Sequence, residues 1–471
     1  MAIKIEKGGW LLMFLIGLVL VGYGLYRYGM VDLSKVGNVM PSRSSSASGN
    51  VILRVHGSNT IGAQLAPALA EAFLRQRGAT EIKTTTTGPD TVVVQGTIDK
   101  PQAIEIAAHG SATAFRDLHA NNCDVGAASR KIEVDEIANL SSLGDMTSPA
   151  AEHVLGLDGI AVIVNAGNPL RTLSKDEIRR IFSGEISDWQ QVGRPDAGSI
   201  LVLARDDKSG TWDTFKNLVL GSTPLASSAQ RVEDSRQLSD RVAADANAIG
   251  FVGLPFVRSA KALAVSDAGT RPIFPTALTV ATEDYPLSRR LYLYTATTTQ
   301  NAVAREFVTF ALSRAGQDIV TANGFVGQTV VPTQPDAASG RKRGVSSDGG
   351  GQYDRLISGA ARLPLDFRFR TGSSSLDNKA LDDLGRVSSF VGSSQYGGQG
   401  ILLLGFADSS GSLQANNELS KSRANVVAEE FRARGIKVAE VVGLGPERPV
   451  ASNATAEGRE KNRRVEVWLR R

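Results

Sequence analysis

The chain of 471 residues has few of the side chains that build metal centres and cross-links. Its one cysteine, Cys123, excludes an intrachain disulfide and any zinc site built from cysteines. Its four histidines, at positions 56, 109, 119 and 153, never stand four residues apart, which is the spacing of a helical metal-binding pair. The motifs G-x-x-x-x-G-K-S/T, G-x-S-x-G and H-E-x-x-H are also missing. These absences exclude the commonest metalloenzyme and hydrolase types, so binding without turnover is the simpler expectation.

An excess of charge of either sign is missing as well. Lys and Arg number 52 against 48 Asp and Glu, a formal charge of +4, so a nucleic-acid partner is not expected. Hydrophobic residues make up 42% and charged residues 21%, which is the balance of an ordinary globular protein. At about 100–200 residues per domain, the length predicts two to four domains.

Long apolar runs are absent except for one, at residues 10–26. As a helix it would span about 26 Å, near the lower limit for crossing a bilayer core of about 30 Å. A buried core helix, a cleaved signal peptide and an uncleaved anchor are the three interpretations, and the missing nearby cleavage site favours the anchor. Lys4 and Lys7 before the run outweigh Arg27 after it, which predicts a cytoplasmic amino terminus and a periplasmic bulk. We therefore predict a transmembrane signal anchor in residues 1–30.

Two segments without apolar periodicity divide the rest of the chain. Residues 31–50 end in the Ser-rich stretch PSRSSSASGN, and residues 334–352 combine Gly, Ser and Pro with a basic triplet. Both compositions are typical of flexible linkers. Two folded regions are therefore expected, at residues 51–333 and 353–471.

Strand-like apolar runs alternate with helical patterns in the first folded region, as in VILRVHG before GAQLAPALAEAFLRQ. This alternation predicts an α/β fold with mainly parallel sheets. Glycine and short hydroxyl residues recur at three strand-to-helix junctions: Gly57-Ser58-Asn59-Thr60, Gly110-Ser111-Ala112-Thr113 and Ser209-Gly210-Thr211. Each hydroxyl residue alone is first of all a helix N-cap, but the three junctions together favour a backbone that approaches a bound anion.

Arg205 stands four residues before Ser209, at the expected end of a strand. A guanidinium in this position can hold an oxyanion through two parallel hydrogen bonds. It can also form a surface ion pair with Asp206 or Asp207. The residues alone leave both interpretations open.

With these residues in view, the stretch from 51 to 333 resembles the periplasmic phosphate-binding proteins of ABC transporters. The most specific match is ARDDKSGTWDTF, which is similar to the R-x-x-x-S-G-T phosphate loop of that family. Further matches follow in the family's order: CDVGAASRKI at 123–132, LSKDEIRRIFSGEISDWQQV at 173–192, NAIGFVG at 247–253, YPLSRRLYLY at 285–294 and FALSRAGQDIVTANGFV at 310–326.

The resemblance implies a type II periplasmic-binding-protein fold, in which two α/β lobes close around an anion. It also implies a set of phosphate ligands: Ser58, Asn59, Thr60, Ile61, Ser111, Ser129, Arg205, Ser209, Gly210 and Thr211. Some family members carry an acidic residue in a G-A-S-D loop, where it accepts the proton of hydrogen phosphate. Here that loop reads GAASR at 126–130, and Asp124 stands at the strand end. Phosphate, sulfate and arsenate therefore all remain open as ligands.

The second folded region has its own pattern of strands and helices. Residues 365–370 alternate as a strand, 376–391 are helical, 400–404 form a buried strand, 413–434 form a long amphipathic helix and 465–469 form a last strand. Asp408 stands in the loop before the long helix and Arg423 stands within that helix, fifteen residues later. Such a pair can form a structural salt bridge, or the two charges can face a ligand that carries both an amine and a carboxylate.

Residues 363–471 resemble an OmpA-like peptidoglycan-binding domain, through GFADSSG at 405–411, NNELSKSRANVV at 416–427 and ASNATAEGREKNRRVEV at 451–467. The resemblance implies that Asp408 receives the ammonium of meso-diaminopimelate and that Arg423 receives its carboxylate. Asn416 would order the loop or contact the peptide, and Arg464 would support the site. The family commonly has His-Thr before the aspartate, where this chain has Phe-Ala at 406–407.

The sequence as a whole predicts a non-enzymatic phosphate receptor without metal or cofactor, held at the inner membrane by its anchor and at the cell wall by its last domain. The expected fold is a two-lobed α/β domain followed by an α+β OmpA-like domain. Its expected partners are inorganic phosphate, the diaminopimelate-containing stem peptide of peptidoglycan, the inner membrane of a Gram-negative bacterium and an ABC-type phosphate permease. Two alternatives remain: a structural envelope protein whose binding domain takes another tetrahedral oxyanion or none, and a phosphatase or phosphotransferase.

Overall fold

A computed structural model of the chain describes residues 50–194, 198–207, 209–334, 351–370, 373, 375–393, 396 and 398–470. The predicted anchor at 1–30 lies outside these residues, as do nearly all of the two predicted linkers. Within the described ranges, no helix has both the length and the apolarity that a membrane crossing requires.

The elements are numbered here in chain order. The strands are β1 (Asn50–Gly57), β2 (Thr80–Gly88), β3 (Thr91–Thr97), β4 (Pro101–Ala107), β5 (Val125–Ala128), β6 (Glu152–Val164), β7 (Thr172–Ser174), β8 (Leu201–Arg205), β9 (Gln230–Val232), β10 (Ala248–Gly253), β11 (Lys261–Ala262), β12 (Ala264–Ser266), β13 (Ser288–Tyr294), β14 (Ala361–Arg368), β15 (Gly400–Gly405), β16 (Val438–Gly443) and β17 (Arg464–Arg470).

The helices are α1 (Asn59–Gly62), α2 (Leu65–Gln76), α3 (Ser111–His119), α4 (Val134–Asn139), α5 (Lys175–Ser183), α6 (Gly210–Phe215), α7 (Ser235–Ala244), α8 (Ala277–Ala281), α9 (Ala302–Leu312), α10 (Arg314–Ala322), α11 (Gln352–Leu356), α12 (Asn378–Val391), α13 (Leu413–Ala433) and α14 (Ala456–Asn462). A π-helical turn, Lys216–Leu220, continues α6.

An eleven-stranded sheet forms the larger part of the molecule, in the order β2-β3-β4-β1-β5-β13-β6-β10-β8-β9, with β11 paired to β6. Strands β4, β1 and β5 are parallel, and so are β10, β8 and β9. Short connections make β2, β3 and β4 antiparallel, and β13 runs antiparallel to both β5 and β6. The expectation of mainly parallel sheets is therefore wrong, because hairpins and the two central strands add antiparallel pairs that an α/β alternation does not show.

Strands β6 and β13 lie at the centre of this sheet, between two separate hydrophobic cores. The first lobe, β1–β5 with α1–α4, α9 and α10, packs around Phe73 and Phe307. The second lobe, β7–β12 with α5–α8, packs around Trp189 and Phe251. Each lobe thus has its own core, and the two central strands connect them.

The C-terminal domain is built on a four-stranded sheet in the order β14-β17-β15-β16. Helices α12 and α13 bury their apolar faces against this sheet, with Leu384, Val427 and Phe431 fully buried in the shared core. The five elements predicted for this region from the sequence are all present, with their bounds shifted by at most four residues. An α+β architecture follows.

The C-terminal domain contacts both lobes of the first domain, and the described residues form one compact unit. Asn378 Nδ2 donates to the Glu152 carboxylate (3.0 Å) at the start of β6, on the side of the first lobe. The Ser452 amide donates to the Asp267 carboxylate (3.0 Å) in the second lobe. The domain therefore bridges the two lobes.

Buried charges reinforce this junction. The Arg290 guanidinium donates to Asp377 (2.7 Å) of the C-terminal domain and to Glu283 (2.8 Å) of its own domain. Arg368, at the end of β14, donates to the Thr282 carbonyl (2.9 Å). Burial alone would raise the pKa of Glu283, but the adjacent Arg290 and Arg368 outweigh it and lower this pKa to about 2. Glu283 is therefore ionised between two arginines at any physiological pH.

Candidate functional site

Three hydroxyl residues meet at one edge of the first lobe because each follows a parallel strand. Ser58 comes after β1, Ser111 after β4 and Ser129 after β5, and the carboxyl ends of parallel strands lie at the same sheet edge. The Ser111 and Ser129 hydroxyls are 3.1 Å apart, and the Ser129 amide donates to Ser111 Oγ (3.0 Å). Gly57, with φ of 137°, allows β1 to end against β5, since a Cβ there would lie 2.0 Å from the Ala127 carbonyl oxygen.

Ser58 does not act as the helix cap that its position suggests. Its side chain makes no capping hydrogen bond to α1, although the residue is only 1% exposed. Among the described residues, Ser58 Oγ and the side-chain oxygen of Asn59 are buried and have no hydrogen-bond partner. Buried polar groups without a partner are rare in folded proteins, so these two atoms suit a ligand that completes their hydrogen bonding. Ile61 is fully buried in the core of the first lobe, and only its backbone could face a ligand.

The second lobe reaches this edge through α6. Ser209 caps that helix, since its hydroxyl accepts from the Trp212 amide (3.4 Å). Gly210 lies against the first lobe: a Cβ at this position would stand 2.4 Å from the Thr60 Cα, a contact that only glycine avoids. The Thr60 hydroxyl donates to the Gly210 carbonyl (3.2 Å). The first and third predicted loops are therefore in contact, with Thr211 next in the chain.

A guanidinium that the sequence did not single out lies between the lobes. Arg289 projects from β13, and its Nη2 donates to Thr60 Oγ1 (2.6 Å) and to the Gly210 carbonyl (3.1 Å). Its Nη1 donates to Asp213 (3.4 Å), and its Nε stands 3.5 Å from Asp158. Burial lowers the pKa of Arg289, while Asp158 and Asp213 act in the opposite direction. The only sequence feature that pointed to Arg289 was the pair of adjacent arginines within the apolar strand of YPLSRRLYLY.

Arg205 is engaged elsewhere. Its Nη2 donates to the Glu233 carbonyl (2.6 Å), its Nη1 donates to the Ser235 hydroxyl, and Asp206 lies 3.7 Å away. The ion pair with Asp206 that the sequence left open is therefore present. No hydrogen bond or ion pair joins Arg205 to the Ser58–Thr60 loop in the described part of the chain, and its assignment as an anion ligand stays a prediction.

A cavity of about 220 Å³ opens beside Ser111 and Ser129. The described residues that line it are His109, Gly110, Ser111, Ala112, Ser129, Arg130, Asp213 and Asn217. The first lobe supplies the residues before 131, and α6 with the turn after it supplies the last two. The cavity therefore lies where the two lobes face each other, next to the hydroxyl groups and Arg289.

Two other polar groups near this edge serve the fold. Asp124 accepts from the backbone amide (2.8 Å) and the guanidinium (3.1 Å) of Arg54. His56 contacts Asp117 (2.9 Å) and Glu105 (3.3 Å). Burial opposes the charged imidazole, but the two carboxylates outweigh it and raise the pKa of His56. Across the described ranges, no three His, Cys, Asp or Glu side chains are grouped so that they could hold a metal ion.

The second candidate site lies on the C-terminal domain, around Asp408. Its carboxylate accepts from the Ser410 amide (2.8 Å) and pairs with Arg463 (3.0 Å). Burial raises the pKa of Asp408, but the hydrogen bonds from Ser410 and Arg463 outweigh it, so this pKa is below its ordinary value. The aspartate is therefore an ionised group able to receive a cation.

Arg423 differs from Asp408 in having open hydrogen-bonding positions. It is 9% exposed, its guanidinium lies 5.7 Å from the centre of the Phe369 ring, and within the described residues its Nε and Nη1 have no partner. Burial lowers the pKa of Arg423, Arg463 adds to this effect and Asp408 opposes it. Asn416 lies two turns earlier on the same buried face of α13. An incoming carboxylate would complete the hydrogen bonding of this arginine.

Arg464 lies behind this site. Its guanidinium stacks 4.0 Å from the centre of the Phe406 ring and donates to Glu466 (2.9 Å). Phe406 occupies the place where the family commonly has histidine, and it is fully buried two residues before Asp408. The stacked pair thus fixes the strand end from which the Asp408 loop begins.

These features define a class of protein: two α/β lobes with a cavity lined by hydroxyl groups between them, followed by a small α+β domain with a separate polar site. The chain belongs to the PBP superfamily, because the model of the PBP superfamily domain matches residues 44–315. The model of the OmpA family matches residues 368–463, so the C-terminal domain is an OmpA family domain. Both resemblances drawn from the sequence are confirmed.

Curated relatives cover the first of these domains. The chain is 24% identical over 227 residues to the phosphate-binding protein PstS of Borreliella burgdorferi, covering 47% of this chain and 78% of that protein. It is 29% identical over 242 residues to the phosphate-binding protein PstS of Bacillus subtilis, covering 51% and 76%.

Solved structures similar to the chain cover the same region. An ABC-type phosphate transport receptor from Vibrio cholerae has a TM-score of 0.46 and 22% identity, over 58% of this chain and 99% of the other. A possible phosphate-binding protein from Planctomyces limnophilus has a TM-score of 0.48 and 24% identity, over 59% and 93%.

Proposed function

We propose that the protein is a receptor for inorganic phosphate that is held at the cell wall. The cleft between the two lobes binds the anion, and the OmpA family domain binds the diaminopimelate-containing stem peptide of peptidoglycan. The observation that carries the first half is the convergence of Ser58, Ser111 and Ser129 with Arg289 at one cleft. Hydroxyl donors and a guanidinium suit the oxygens of a tetrahedral oxyanion.

The roles of the individual residues follow from their positions. Ser58, Asn59, Thr60 and the Ile61 backbone form the first anion loop, Ser111 and Ser129 form the second, and Ser209, Gly210 and Thr211 form the third. The buried Ser58 hydroxyl without a partner supports this assignment, because a helix-capping role would have used it. Arg205 is proposed as a further donor that would have to release Ser235 or Glu233 to reach the anion. The names of the PstS relatives support phosphate as the anion.

The second half of the proposal rests on Arg423. Its buried Nε and Nη1 without a partner are suited to a carboxylate, and the ionised Asp408 is suited to an ammonium group. Diaminopimelate presents both groups. Asn416 would order the loop or contact the peptide, and Arg464 would support it through Phe406.

The full arrangement proposed is an anchor at 1–30, a linker at 31–50, a binding domain at 51–333, a linker at 334–352 and a wall-binding domain at 353–471. Anchored at the inner membrane and held at the wall, the protein would keep bound phosphate at high local concentration near an ABC-type permease. It would act as a receptor and not as an enzyme.

Calorimetric titration of the purified full-length protein with phosphate, sulfate and molybdate tests the first half. The expected result is binding of one phosphate per chain. If none of the three anions binds, the first domain is not an oxyanion receptor, and a purely structural role in the envelope takes its place.

Retention on isolated peptidoglycan sacculi tests the second half. Asp408→Ala is expected to abolish the retention of the full-length protein, because it removes the acceptor for the ammonium group. Asp354→Ala is the matched control, since Asp354 is an exposed carboxylate of the same domain that pairs with Arg448. Undiminished retention of the Asp408 variant would refute the assignment.

A further inference from the structure

We propose that the C-terminal domain holds the two lobes in their closed arrangement, so that contacts outside the cleft set its affinity for the anion. The domain thus has a second role besides binding the wall. This inference rests on the proposed anion-binding function and deepens it, because it identifies what controls the closing of the anion site.

The two lobes touch each other across the cleft. The Thr60 hydroxyl of the first lobe donates to the Gly210 carbonyl of the second lobe (3.2 Å), and Arg289 of the central strand β13 donates to both residues. Ser129 Oγ of the first lobe lies 3.5 Å from Asp213 Oδ2 of the second. A rotation that opened the cleft would separate these pairs, so the structure shows the closed arrangement.

The C-terminal domain is attached to the first lobe through the start of α12. Asn378 Nδ2 donates to the Thr147 carbonyl (2.9 Å) and to the Glu152 carboxylate (3.0 Å). The Asn378 and Glu152 side chains are both buried. This attachment is therefore shielded from water, where competing hydrogen bonds would weaken it.

A second attachment joins the domain to the second lobe. The Ser452 amide donates to the Asp267 carboxylate (3.0 Å), and Arg368 Nη2 donates to the Thr282 carbonyl (2.9 Å). Asp267 follows β12 and Thr282 follows α8, so both acceptors belong to the second lobe. The domain is therefore fastened to each lobe by a separate set of hydrogen bonds.

The part of the domain between these attachments is a single packed body. Helix α12 and strand β14, which carry the two side-chain attachments, both bury apolar residues in the core around Leu384 and Phe431. Asn462 holds the loop that carries Ser452, since its Nδ2 donates to the Ala451 carbonyl (2.8 Å). Close-packed interiors deform little and transmit strain. A rotation of one lobe against the other changes the distance between the two attachments, so the domain cannot keep both when the cleft opens.

An ion pair fastens the domain to the central strands as well. Arg290 of β13 donates to Asp377 (2.7 Å), and the preceding residue of the same strand, Arg289, faces the cleft. Both partners of the ion pair are largely buried. Removing one partner of a buried ion pair leaves an uncompensated charge, so the pair resists separation. Strand β13 therefore carries both a residue of the anion site and a residue that anchors the domain.

Contacts that form only in the closed arrangement favour that arrangement. An anion held between both lobes also binds the closed arrangement, so the domain contacts and phosphate stabilise the same state. If the contacts are removed, open lobes become populated, and the measured dissociation constant rises as the closed fraction falls. The relation is reciprocal, because phosphate must then strengthen the contacts between the domain and the lobes.

A junction that only adds stability makes a different prediction. If the domain contacts the lobes equally well in the open and closed arrangements, losing one contact lowers the unfolding temperature but leaves the phosphate dissociation constant unchanged. Phosphate then has no effect on the junction. The response of the junction to phosphate, and not the stability of the protein, separates the two roles.

The first test is calorimetric titration with phosphate of the full-length protein and of one variant for each of two attachments. Asp377→Asn removes the charged partner of Arg290 but keeps a side chain that caps α12, since asparagine and aspartate cap helices equally well. Asp267→Ala removes the acceptor of the Ser452 amide. In each variant the dissociation constant is expected to rise by about fivefold or more.

Each variant has a matched control. Asp382→Asn removes an exposed carboxylate of α12 that lies 3.9 Å from Arg386. Asp240→Ala removes an exposed carboxylate of the second lobe that pairs with Arg258. Each of these pairs lies within one domain, so both controls are expected to bind phosphate with unchanged affinity.

The second test is hydrogen exchange at the Ser452 amide of the unaltered full-length protein. This amide donates to Asp267 across the junction, so its exchange reports whether the attachment to the second lobe is intact. Saturating phosphate is expected to slow this exchange by about fivefold or more, since phosphate favours the closed arrangement. In Asp267→Ala phosphate should have no such effect, because the acceptor is gone.

The outcomes separate the inference from the proposed function. If the unaltered protein does not bind phosphate, both fail. If it binds phosphate but Asp377→Asn and Asp267→Ala bind it equally well, phosphate binding stands and the role of the C-terminal domain is overturned. If the variants do not fold, exchange at the Ser452 amide of the unaltered protein decides, because an exchange rate that phosphate leaves unchanged contradicts the proposal.

Discussion

The two candidate sites hold their central arginines in opposite electrostatic states. Arg289 in the cleft is surrounded by the protein's own acceptors: Asp158 and Asp213 balance its charge, and Thr60 accepts from it. Arg423 in the C-terminal domain is also buried, but no ion pair balances it among the described residues, and two of its nitrogens lack a hydrogen-bond partner where Arg289 leaves only Nε without one. Burying a charge is costly unless it is paired, so an arginine left open in this way is suited to a ligand that supplies the pairing.

The two sites therefore place different requirements on their proposed ligands. Under the proposed function, the ligand at Arg423 brings a carboxylate, and its binding depends mainly on the attraction between two opposite charges. At Arg289 the charge is already balanced, so the anion must exchange for contacts that the protein makes with itself. A site of the second kind is expected to attract an anion less strongly, because the protein's own carboxylates already balance the charge of the arginine.

Removing the open charge should have the largest effect. Arg423→Ala is expected to abolish retention on isolated sacculi, since it removes the two buried donors that have no partner among the described residues, and Arg423→Lys should retain only part of it because lysine lacks the planar fork. The measurement is the fraction of full-length protein that sediments with sacculi. Arg434→Ala removes an exposed arginine just past the end of the same helix, paired with Glu430, and should sediment normally. Full retention of Arg423→Ala would show that the open charge of Arg423 does not bind the wall, which would contradict the difference drawn between the two sites.

Removing the balanced charge should weaken phosphate binding strongly without abolishing it. Arg289→Gln takes away a donor that joins Thr60 to Gly210 and leaves Asp158 and Asp213 facing the anion. Truncating one partner of a buried charge pair typically costs about 2 kcal/mol or more, so the dissociation constant should rise by about 30-fold or more. Calorimetry measures this change, and Arg258→Gln, an exposed arginine paired with Asp240, is the matched control. An unchanged affinity in Arg289→Gln would show that this arginine only holds the lobes together.

Arg205 should give a smaller effect. Arg205→Ala is expected to weaken phosphate binding by at least about tenfold, about 1.4 kcal/mol, if its guanidinium turns from Glu233 and Ser235 to the anion. The same titration measures it. An affinity equal to that of the unaltered protein would mean that Arg205 only ties β8 to the turn before α7, and that Arg289 alone supplies the guanidinium.

Local sequence patterns predicted the hydroxyl side of the cleft. Ser58 and Ser111 each follow a strand within a few residues, and the geometry of parallel strands brings such positions to one edge, whereas Ser129 came from the family resemblance. The OmpA family elements were predictable for a similar reason, because apolar periodicity and the spacing of Asp408 and Arg423 lie within short stretches of chain.

The charges that complete the cleft could not be predicted in this way. Arg289 comes from β13, almost 230 residues after Thr60, and Asp213 comes from the opposite lobe. Only tertiary packing brings them together. The partners of Arg205 were equally beyond local patterns, since Ser235 and Glu233, about thirty residues further along the chain, accept its hydrogen bonds.

The contacts between the two domains could not be predicted from the sequence either. The sequence separated the two domains by a linker, and nothing in it indicated that Arg290 would pair with Asp377 across the junction. Neighbouring residues of a strand point to opposite faces, so β13 directs Arg289 into the cleft and Arg290 towards the C-terminal domain. A single pair of arginines therefore serves both the site and the junction.

One measurement tests the central claim that a single chain binds phosphate and the wall at the same time. Radiolabelled phosphate is mixed with the full-length protein and isolated sacculi, and the label in the sedimented wall fraction is counted. Phosphate is expected to sediment with the unaltered protein. With Arg423→Ala it should stay in the supernatant, bound to protein, and Arg289→Gln should bring protein but little phosphate to the pellet. Unaltered protein that reaches the pellet without phosphate, or phosphate that sediments equally well with Arg423→Ala, would contradict this claim.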